Sequence, residues 1–182
     1  KIFAIFKKEA AFYKKRGGNV LWVGHPMIDL TKKLPLKKDA RTILNLRSNQ
    51  NILLLMPASR PQELRYVLPT FMKAAKKLQQ KYPSLVVYIP SCRSSFDEIF
   101  KKAFRKYQVK GHVISQKDSA KLKPYIYSLT KIAFCKSGTV NMELALYGIP
   151  QIVGYRVSRV TAFIAKKILN FKVRFISPVN LL

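Results

Sequence analysis

The chain has 182 residues, of which 35 are Lys or Arg and only 8 are Asp or Glu, so its formal net charge is +27. A hydrophobic content of 48% excludes a disordered chain and predicts one folded domain, or one domain with part of another. The charge is typical either of a protein with lysine-rich solvated faces or of one that binds anions, and it does not distinguish nucleic acids, anionic lipid surfaces and phosphorylated small molecules. No apolar run approaches the ~20 residues that a membrane-spanning helix requires.

The first 35 residues predict two short strands, a helix and a linker. Strand patterns cover residues 1–6 and 19–23, and a helix runs through Phe12 and Tyr13 between them. Residues 27–35 are charged, end in a proline and follow no sustained period, which indicates a linker.

From residue 52 onward, apolar strands alternate with amphipathic helices. The strands at 52–56 and 85–89 are apolar throughout, which is typical of strands buried on both faces of a parallel sheet. The helices at 64–78 and 96–104 carry aromatic and Met residues at helical spacing, and we interpret these stripes as core rather than as a cofactor site. The remaining predicted elements are strands at 112–114, 131–135, 151–154 and 173–176, and helices at 119–129, 139–147 and 160–170.

This alternation predicts an α/β fold with a Rossmann-like, doubly wound parallel sheet. Ligands of such sheets bind beyond the carboxyl ends of the strands. The sequence therefore directs attention to the loops that follow Met56, Ile89, Phe134 and Val153.

The loop after Met56 contains an arginine and a carboxylate close to the start of a helix. Arg60 is suited to bind an anion or to stack on a base, and Glu63 lies in the first helical turn. The alternative is an ordinary helix start, with Ser59 as the N-cap and Glu63 interacting with the helix dipole.

The loop after Phe134 combines Ser137, Gly138 and Thr139 with the start of an apolar helix. Gly138 allows a ligand to approach the backbone, and the free N–H groups of a helix start favour phosphate. Glu143, one turn further, is placed to accept both hydroxyls of a ribose; the alternative is an ordinary capped helix with a solvated Glu143. Because both loops belong at one sheet edge, their combination favours a shared nucleotide site.

Four segments occur in a specific order and spacing: WVGHPMID (22–29), MPASRPQE (56–63), SGTVNME (137–143) and VGYR (153–156). Together they resemble the lipid-A-disaccharide synthase family, and the match extends through residues 180–182. Each segment is weak alone, whereas four in register are specific. The sequence departs from the family at Ala58, where a glycine is usual, and in having Thr-Val-Asn-Met-Glu in place of the commoner Thr-Ala-Thr-Leu-Glu.

The resemblance implies the C-terminal half of a two-domain GT-B glycosyltransferase. Residues 1–26 would end the N-terminal acceptor domain, and residues 27–182 would form a UDP-sugar-binding domain truncated at its C-terminus. The implied enzyme is a hexosyltransferase that moves an acylated glucosamine from a UDP-sugar donor to a glycolipid phosphate acceptor. It would work in the cytoplasm, peripherally at the anionic inner face of the membrane, and the isolated fragment would be inactive.

The resemblance also implies roles for individual residues. Ser59, Arg60 and Glu63 would contact the uridine and phosphates. The diphosphate cradle and ribose acceptor would be Ser137, Gly138, Thr139 and Glu143, with Tyr155, Arg156 and Asn180 near the nucleotide. The catalytic base would lie in the N-terminal domain, with His25 as a weak candidate, more typical of a hinge or core histidine. No metal or cofactor is expected, because Cys92, Cys135, His25 and His112 are isolated in the sequence.

Two other functions remain open from the residues. A UDP-N-acetylglucosamine 2-epimerase would share the architecture but needs a set of acids and histidines around the cleft. A nucleic-acid-binding protein would need basic residues clustered with exposed aromatic residues, and the periodicity argues against that arrangement. A basic helix at 159–170 is interpreted either as a membrane-surface helix or as a core-packed helix with snorkelling lysines.

Overall fold

The computed structural model describes residues 1–31 and 33–156, which form two compact units. The first unit is Lys1–Lys33 and the second begins at Leu34, so the division falls inside the predicted linker and after the predicted domain boundary at residue 26. The helix and strand predicted for residues 160–176, and Asn180, lie outside the described residues. None of the helices in the described ranges combines the length and the hydropathy that crossing a membrane requires.

The first unit is a strand–helix–strand unit followed by one helical turn. Its elements are β1 (Ile2–Ala4), α1 (Lys7–Lys14), β2 (Val20–Trp22) and α2 (Met27–Leu30). The two strands pair in parallel, as a strand–helix–strand unit requires. The first three elements confirm the predicted ones, with shorter strands than predicted, whereas α2 was predicted as linker because four residues are too few for a periodic pattern.

The second unit repeats strand and helix. Its elements are α3 (Lys37–Ile43), β3 (Asn51–Met56), α4 (Pro61–Lys81), β4 (Leu85–Pro90), α5 (Ser94–Tyr107), β5 (Gly111–Ile114), α6 (Gln116–Leu129), β6 (Thr130–Lys136), α7 (Thr139–Leu146) and β7 (Gln151–Gly154). Every strand predicted between residues 52 and 154 is confirmed within one residue at each end. Only α3 was missed; it buries one small residue, Ala40, and so has no apolar stripe.

The five strands of this unit form one parallel sheet in the order β5-β4-β3-β6-β7. The chain builds outward from β3 to β5, returns through α6 to the other side of β3, and builds outward again through β6 and β7. The predicted Rossmann-like α/β fold is therefore confirmed. At the point where the order reverses, Met56 is in register with Cys135, so the loops after β3 and β6 leave the sheet side by side.

Apolar side chains cover both faces of the sheet. Helices α4 and α5 pack on one face, and helices α3, α6 and α7 pack on the other. The aromatic and Met stripes of α4 and α5 are core, as predicted, with Phe71, Met72, Phe96 and Phe100 buried. The first unit differs, because Phe3, Phe12 and Trp22 each expose half or more of their surface.

The end of β7 approaches α4 closely. A Cβ added to Gly154 would lie 2.5 Å from a ring carbon of Phe71, closer than any side chain tolerates. This contact requires glycine at position 154 and brings the end of β7 beside the middle of α4.

Candidate functional site

The loop between β3 and α4 is exposed and lightly held. Ser59 and Arg60 are both exposed, and within residues 1–31 and 33–156 neither side chain has a hydrogen-bond or ion-pair partner. The N-cap of α4 is Arg60, in extended conformation, and its side chain does not cap the helix. The alternative with Ser59 as N-cap is therefore wrong. Pro61 explains the shift, because proline favours the first helical position and keeps the residue before it extended.

The loop between β6 and α7 presents a glycine that the described fold does not require. Gly138 is the N-cap of α7 with φ 164° and ψ −168°, an extended backbone that any residue adopts. A Cβ added there would meet no atom within 4 Å. Thr139 beside it is exposed, whereas Ser137 is buried. The space beside Gly138 is therefore free for the predicted close approach of a ligand to this loop.

The buried side-chain amide of Asn141 holds the same loop in place. Asn141 is fully buried; its Oδ1 accepts from the Gly138 N–H at 2.8 Å, and its Nδ2 donates to Gln151 Oε1 at 3.0 Å. Gln151 Nε2 returns a hydrogen bond to the Asn141 carbonyl at 2.9 Å, and the Cys135 thiol lies 3.0 Å from Asn141 Nδ2. Sequence reasoning missed this role. The available signal was an asparagine inside the otherwise apolar helix of VNMELAL.

The two loops are joined by an ion pair between Lys136 and Glu63. The Nζ–Oε1 distance is 2.6 Å, and each side chain is 20% exposed. The second carboxylate oxygen, Glu63 Oε2, is buried and has no hydrogen-bond partner among the described residues. Lys136 was not a predicted site residue. Strand alternation was the missed signal, since Phe134, two residues earlier, packs in the core on the α4 side.

Glu143 makes a second ion pair, with a lysine of α6. Lys123 Nζ lies 2.7 Å from Glu143 Oε1 and 5.6 Å from the centre of the Tyr127 ring. The Glu143 side chain is 24% exposed, so its carboxylate is reachable from solvent but not simply solvated. Burial raises the pKa of the Tyr127 hydroxyl, and the negative charge of Glu143 raises that pKa further. Nothing in the sequence places Lys123 beside Glu143, because the contact joins two helices.

Tyr155 and Arg156 follow β7 directly and are exposed at the same sheet edge. Arg156 Nη1 donates to Thr70 Oγ1 of α4 at 3.4 Å. The two residues line a groove of about 190 Å³ with Val67 and Phe71. Loops from three neighbouring strands, β3, β6 and β7, thus bring predicted residues to one edge.

His25 has a local role in the first unit. Its Nδ1 accepts from the Met27 N–H at 3.2 Å and so helps to start α2, while its ring packs against Phe6 at 5.8 Å. A catalytic role for His25 stays a prediction. Within residues 1–31 and 33–156, no three His, Cys, Asp or Glu side chains are grouped closely enough to hold a metal ion.

The fold, together with the loops that β3, β6 and β7 present at one edge of the sheet, defines a class. It is a Rossmann-like domain of the kind found in GT-B glycosyltransferases. One solved structure with this architecture is that of the wall teichoic acid polymerase TagF, with a TM-score of 0.54 and 11% sequence identity. The similarity covers 98% of this chain and 46% of that one, and at this identity it shows the fold alone.

The family follows from the sequence comparison. The sequence model of the lipid-A-disaccharide synthetase family matches residues 1–182, and the chain belongs to this family. It is 51% identical over its whole length to the lipid-A-disaccharide synthase of Prochlorococcus marinus, strain MIT 9313, and 38% identical over 99% of its length to that of Gloeothece citriformis, strain PCC 7424. The chain spans about half the length of these curated relatives, 46% of each.

Proposed function

We propose that this chain is the donor-binding part of a glycosyltransferase that moves an acylated glucosamine from a UDP-sugar to a glycolipid phosphate. Family membership supports the reaction type, because the curated relatives carry the name of lipid-A-disaccharide synthase. The acceptor site and the main catalytic base belong to the N-terminal domain in this proposal. Donor binding is therefore the part of the reaction that the described residues perform.

One observation carries the proposal: neither the backbone conformation nor the packing at position 138 requires a glycine. Its φ is extended and an added Cβ meets nothing within 4 Å. A ligand that packs against the backbone at the start of α7 supplies the missing reason, and helix N-termini favour phosphate groups. The diphosphate of a UDP-sugar therefore fits at residues 137–139.

The remaining residues are assigned around that diphosphate. Arg60 and Ser59, exposed and without partners among the described residues, face the base or a phosphate from the β3 side. Glu143 accepts ribose hydroxyls one turn inside α7, and Glu63, expected to contact the uridine or the phosphates, is ion-paired with Lys136 between the two loops. Tyr155, Arg156 and Asn180 lie near the nucleotide in the same proposal.

The acceptor and the membrane complete the proposed function. A glycolipid phosphate and an anionic leaflet both attract a chain of net charge +27, so the enzyme would work peripherally at the inner face of the membrane. The basic segment 159–170, outside the described residues, is the proposed contact with that surface.

The decisive experiment is calorimetric titration of UDP into wild type and Gly138→Ala. Wild type should bind UDP, and the added methyl group should weaken binding at least about tenfold by occupying the ligand's space, a loss of about 1.4 kcal/mol. Folding should change by less than about 1 kcal/mol, since alanine fits the backbone but is a poorer N-cap.

Gly154→Ala provides the comparison for stability, because packing requires the glycine at that position. Its Cβ would collide with Phe71, so it should lower the free energy of unfolding by about 1–3 kcal/mol. Absence of UDP binding by wild type would reject the proposal, as would Gly138→Ala binding UDP as tightly as wild type. The 182-residue chain should bind UDP without transferring sugar; turnover by this chain alone would reject the two-domain division of labour.

A further inference from the structure

We infer that Lys136 is a diphosphate-binding residue and that Glu63 positions its ammonium group between the two loops. The inference deepens the proposed function and rests on it. Lys136 is the last residue of β6 and directly precedes Ser137 and Gly138, the loop assigned to the diphosphate. Its charge therefore lies next in sequence to the proposed phosphate site.

The orientation of Lys136 follows from the strand. Phe134 packs in the core on the α4 side and Cys135 in the core on the opposite side, so the alternation turns Lys136 toward α4. Its Nζ reaches Glu63 Oε1 at 2.6 Å across the junction of β3 and β6. The ammonium group therefore lies between the two loops that the nucleotide would bridge.

The pairing leaves the lysine with capacity for a second anion. An ammonium group has three donors, and among the described residues its one hydrogen-bonded or ion-paired acceptor is Glu63 Oε1. The side chain remains 20% exposed, so a phosphate oxygen can reach it without opening the core. Lys136 can contact Glu63 and a diphosphate at once.

The charges also favour such an arrangement. A carboxylate in the first turn of α4 would repel a diphosphate bound at the adjacent loop unless a cation stood between them. Lys136, at 2.6 Å from Glu63 Oε1, is the cation that the described structure places against this carboxylate. In return, Glu63 limits the rotamers of a flexible side chain before the ligand arrives.

The test compares ligands with and without phosphate on Lys136→Met. Titration of the intact protein with UDP should show at least about a tenfold loss of affinity, because a charge-assisted hydrogen bond to phosphate is removed. Affinity for uridine should stay within about twofold of wild type. Lys131→Met is the matched control, since Lys131 is exposed near the opposite end of β6 and its change alters net charge equally. It should leave both affinities within about twofold.

Two further variants protect the test against misfolding. Lys136→Arg keeps the charge and should retain UDP affinity within about fivefold. Lys136→Gln removes the charge but keeps a donor beside Glu63, and should repeat the UDP-selective loss if Lys136→Met does not fold. Glu63→Gln should weaken UDP more than uridine, because it acts through the lysine; an equal loss for both ligands would overturn the positioning role of Glu63.

The outcomes separate the two proposals. If wild type binds UDP and both Lys136→Met and Lys136→Gln bind it as tightly, Lys136 does not contact the diphosphate and the inference fails alone. Equal losses for UDP and uridine would also overturn it. If wild type does not bind UDP, the proposed function fails and takes this inference with it.

Discussion

The loops after β3 and β6 leave neighbouring strands at one edge of the sheet, but they are held very differently. The β6 loop is braced by the buried Asn141, which fixes the Gly138 N–H and pairs with Gln151 at the start of β7. The β3 loop exposes Ser59 and Arg60, whose side chains have no partner among the described residues.

The difference suggests a division of work within the proposed site. A braced backbone suits the diphosphate, because preorganised N–H groups lose little entropy when they bind. The exposed, unpartnered side chains of Ser59 and Arg60 can change rotamer, so they suit a part of the ligand that they contact only after the diphosphate has bound. The experiments below test this contrast and the proposed ribose contact.

The largest effect is expected from removing the brace. Asn141→Ala removes the side-chain acceptor of the Gly138 N–H and the amide donor to Gln151 Oε1, and it opens a small cavity, which should lower the free energy of unfolding by about 2–4 kcal/mol. Chemical denaturation measures the change. Ser59→Ala, in the unbraced loop, should change the same quantity by less than about 0.5 kcal/mol. Similar changes in the free energy of unfolding for the two variants would show that the two loops are held equally strongly.

A smaller, ligand-specific effect is expected at Glu143. Glu143→Ala should weaken UDP binding at least about tenfold, or about 1.4 kcal/mol, because hydrogen bonds to the ribose hydroxyls are lost. Affinity for 2′,3′-dideoxy-UDP should change little in the same variant. Calorimetric titration of both ligands provides the measurement.

Two features of that experiment need control. Glu143→Ala also leaves Lys123 without its ion-pair partner, so the ratio of the two ligand affinities, rather than either value, reports on the ribose. Arg60→Ala should weaken both ligands alike, since its proposed contact is with base or phosphate. Equal losses for UDP and the dideoxy analogue in Glu143→Ala would show that the ribose lies elsewhere.

The smallest effect concerns two cysteines, one near each loop. Cys92 is exposed, whereas Cys135 is buried beside Asn141, and burial raises the pKa of the Cys135 thiol from 9.0 to about 11. Because the thiolate is the reactive form, iodoacetamide at pH 8 should label Cys92 and spare Cys135. Peptide mass spectrometry after brief labelling measures both. Rapid labelling of Cys135 in wild type would show that the hydrogen-bonded region around Asn141 opens to solvent.

The same pKa gives a pH dependence. Below about pH 9 the Cys135 thiol is protonated in both folded and unfolded chains. Between about pH 9 and pH 11 the unfolded chain loses this proton first, so the stability contribution falls as pH rises. Cys135→Ser should reduce the alkaline decline of the unfolding free energy measured by denaturation across this range.

The sheet was predictable because its strands carry their own signal. Buried parallel strands are apolar runs, and those at 52–56 and 85–89 could be located without any partner. The strand order was not predicted, because it depends on which strands pair in the folded chain. The short α2 and α3 were missed because neither is long enough, or apolar enough, to show a period.

The site was predictable in its loops and not in its contacts. Ser137, Gly138 and Glu143 stand out in a single sequence, because polar and small residues interrupt an apolar stretch. Their partners do not. Lys123 reaches Glu143 from another helix, and Lys136 reaches Glu63 from another strand–helix unit, so both ion pairs depend on tertiary packing.

The reversal of strand order also has a consequence for how the site comes into existence during folding. β3 and β6 are neighbours in the sheet, but every element from α4 to α6 lies between them in the sequence. A ribosome therefore exposes Arg60 and Glu63 long before Lys136 and Gly138, and closing this long loop costs more entropy than a contact between neighbours in sequence. A nucleotide that bridges the two loops has no complete site on the partly synthesised chain, so it can stabilise only the finished sheet.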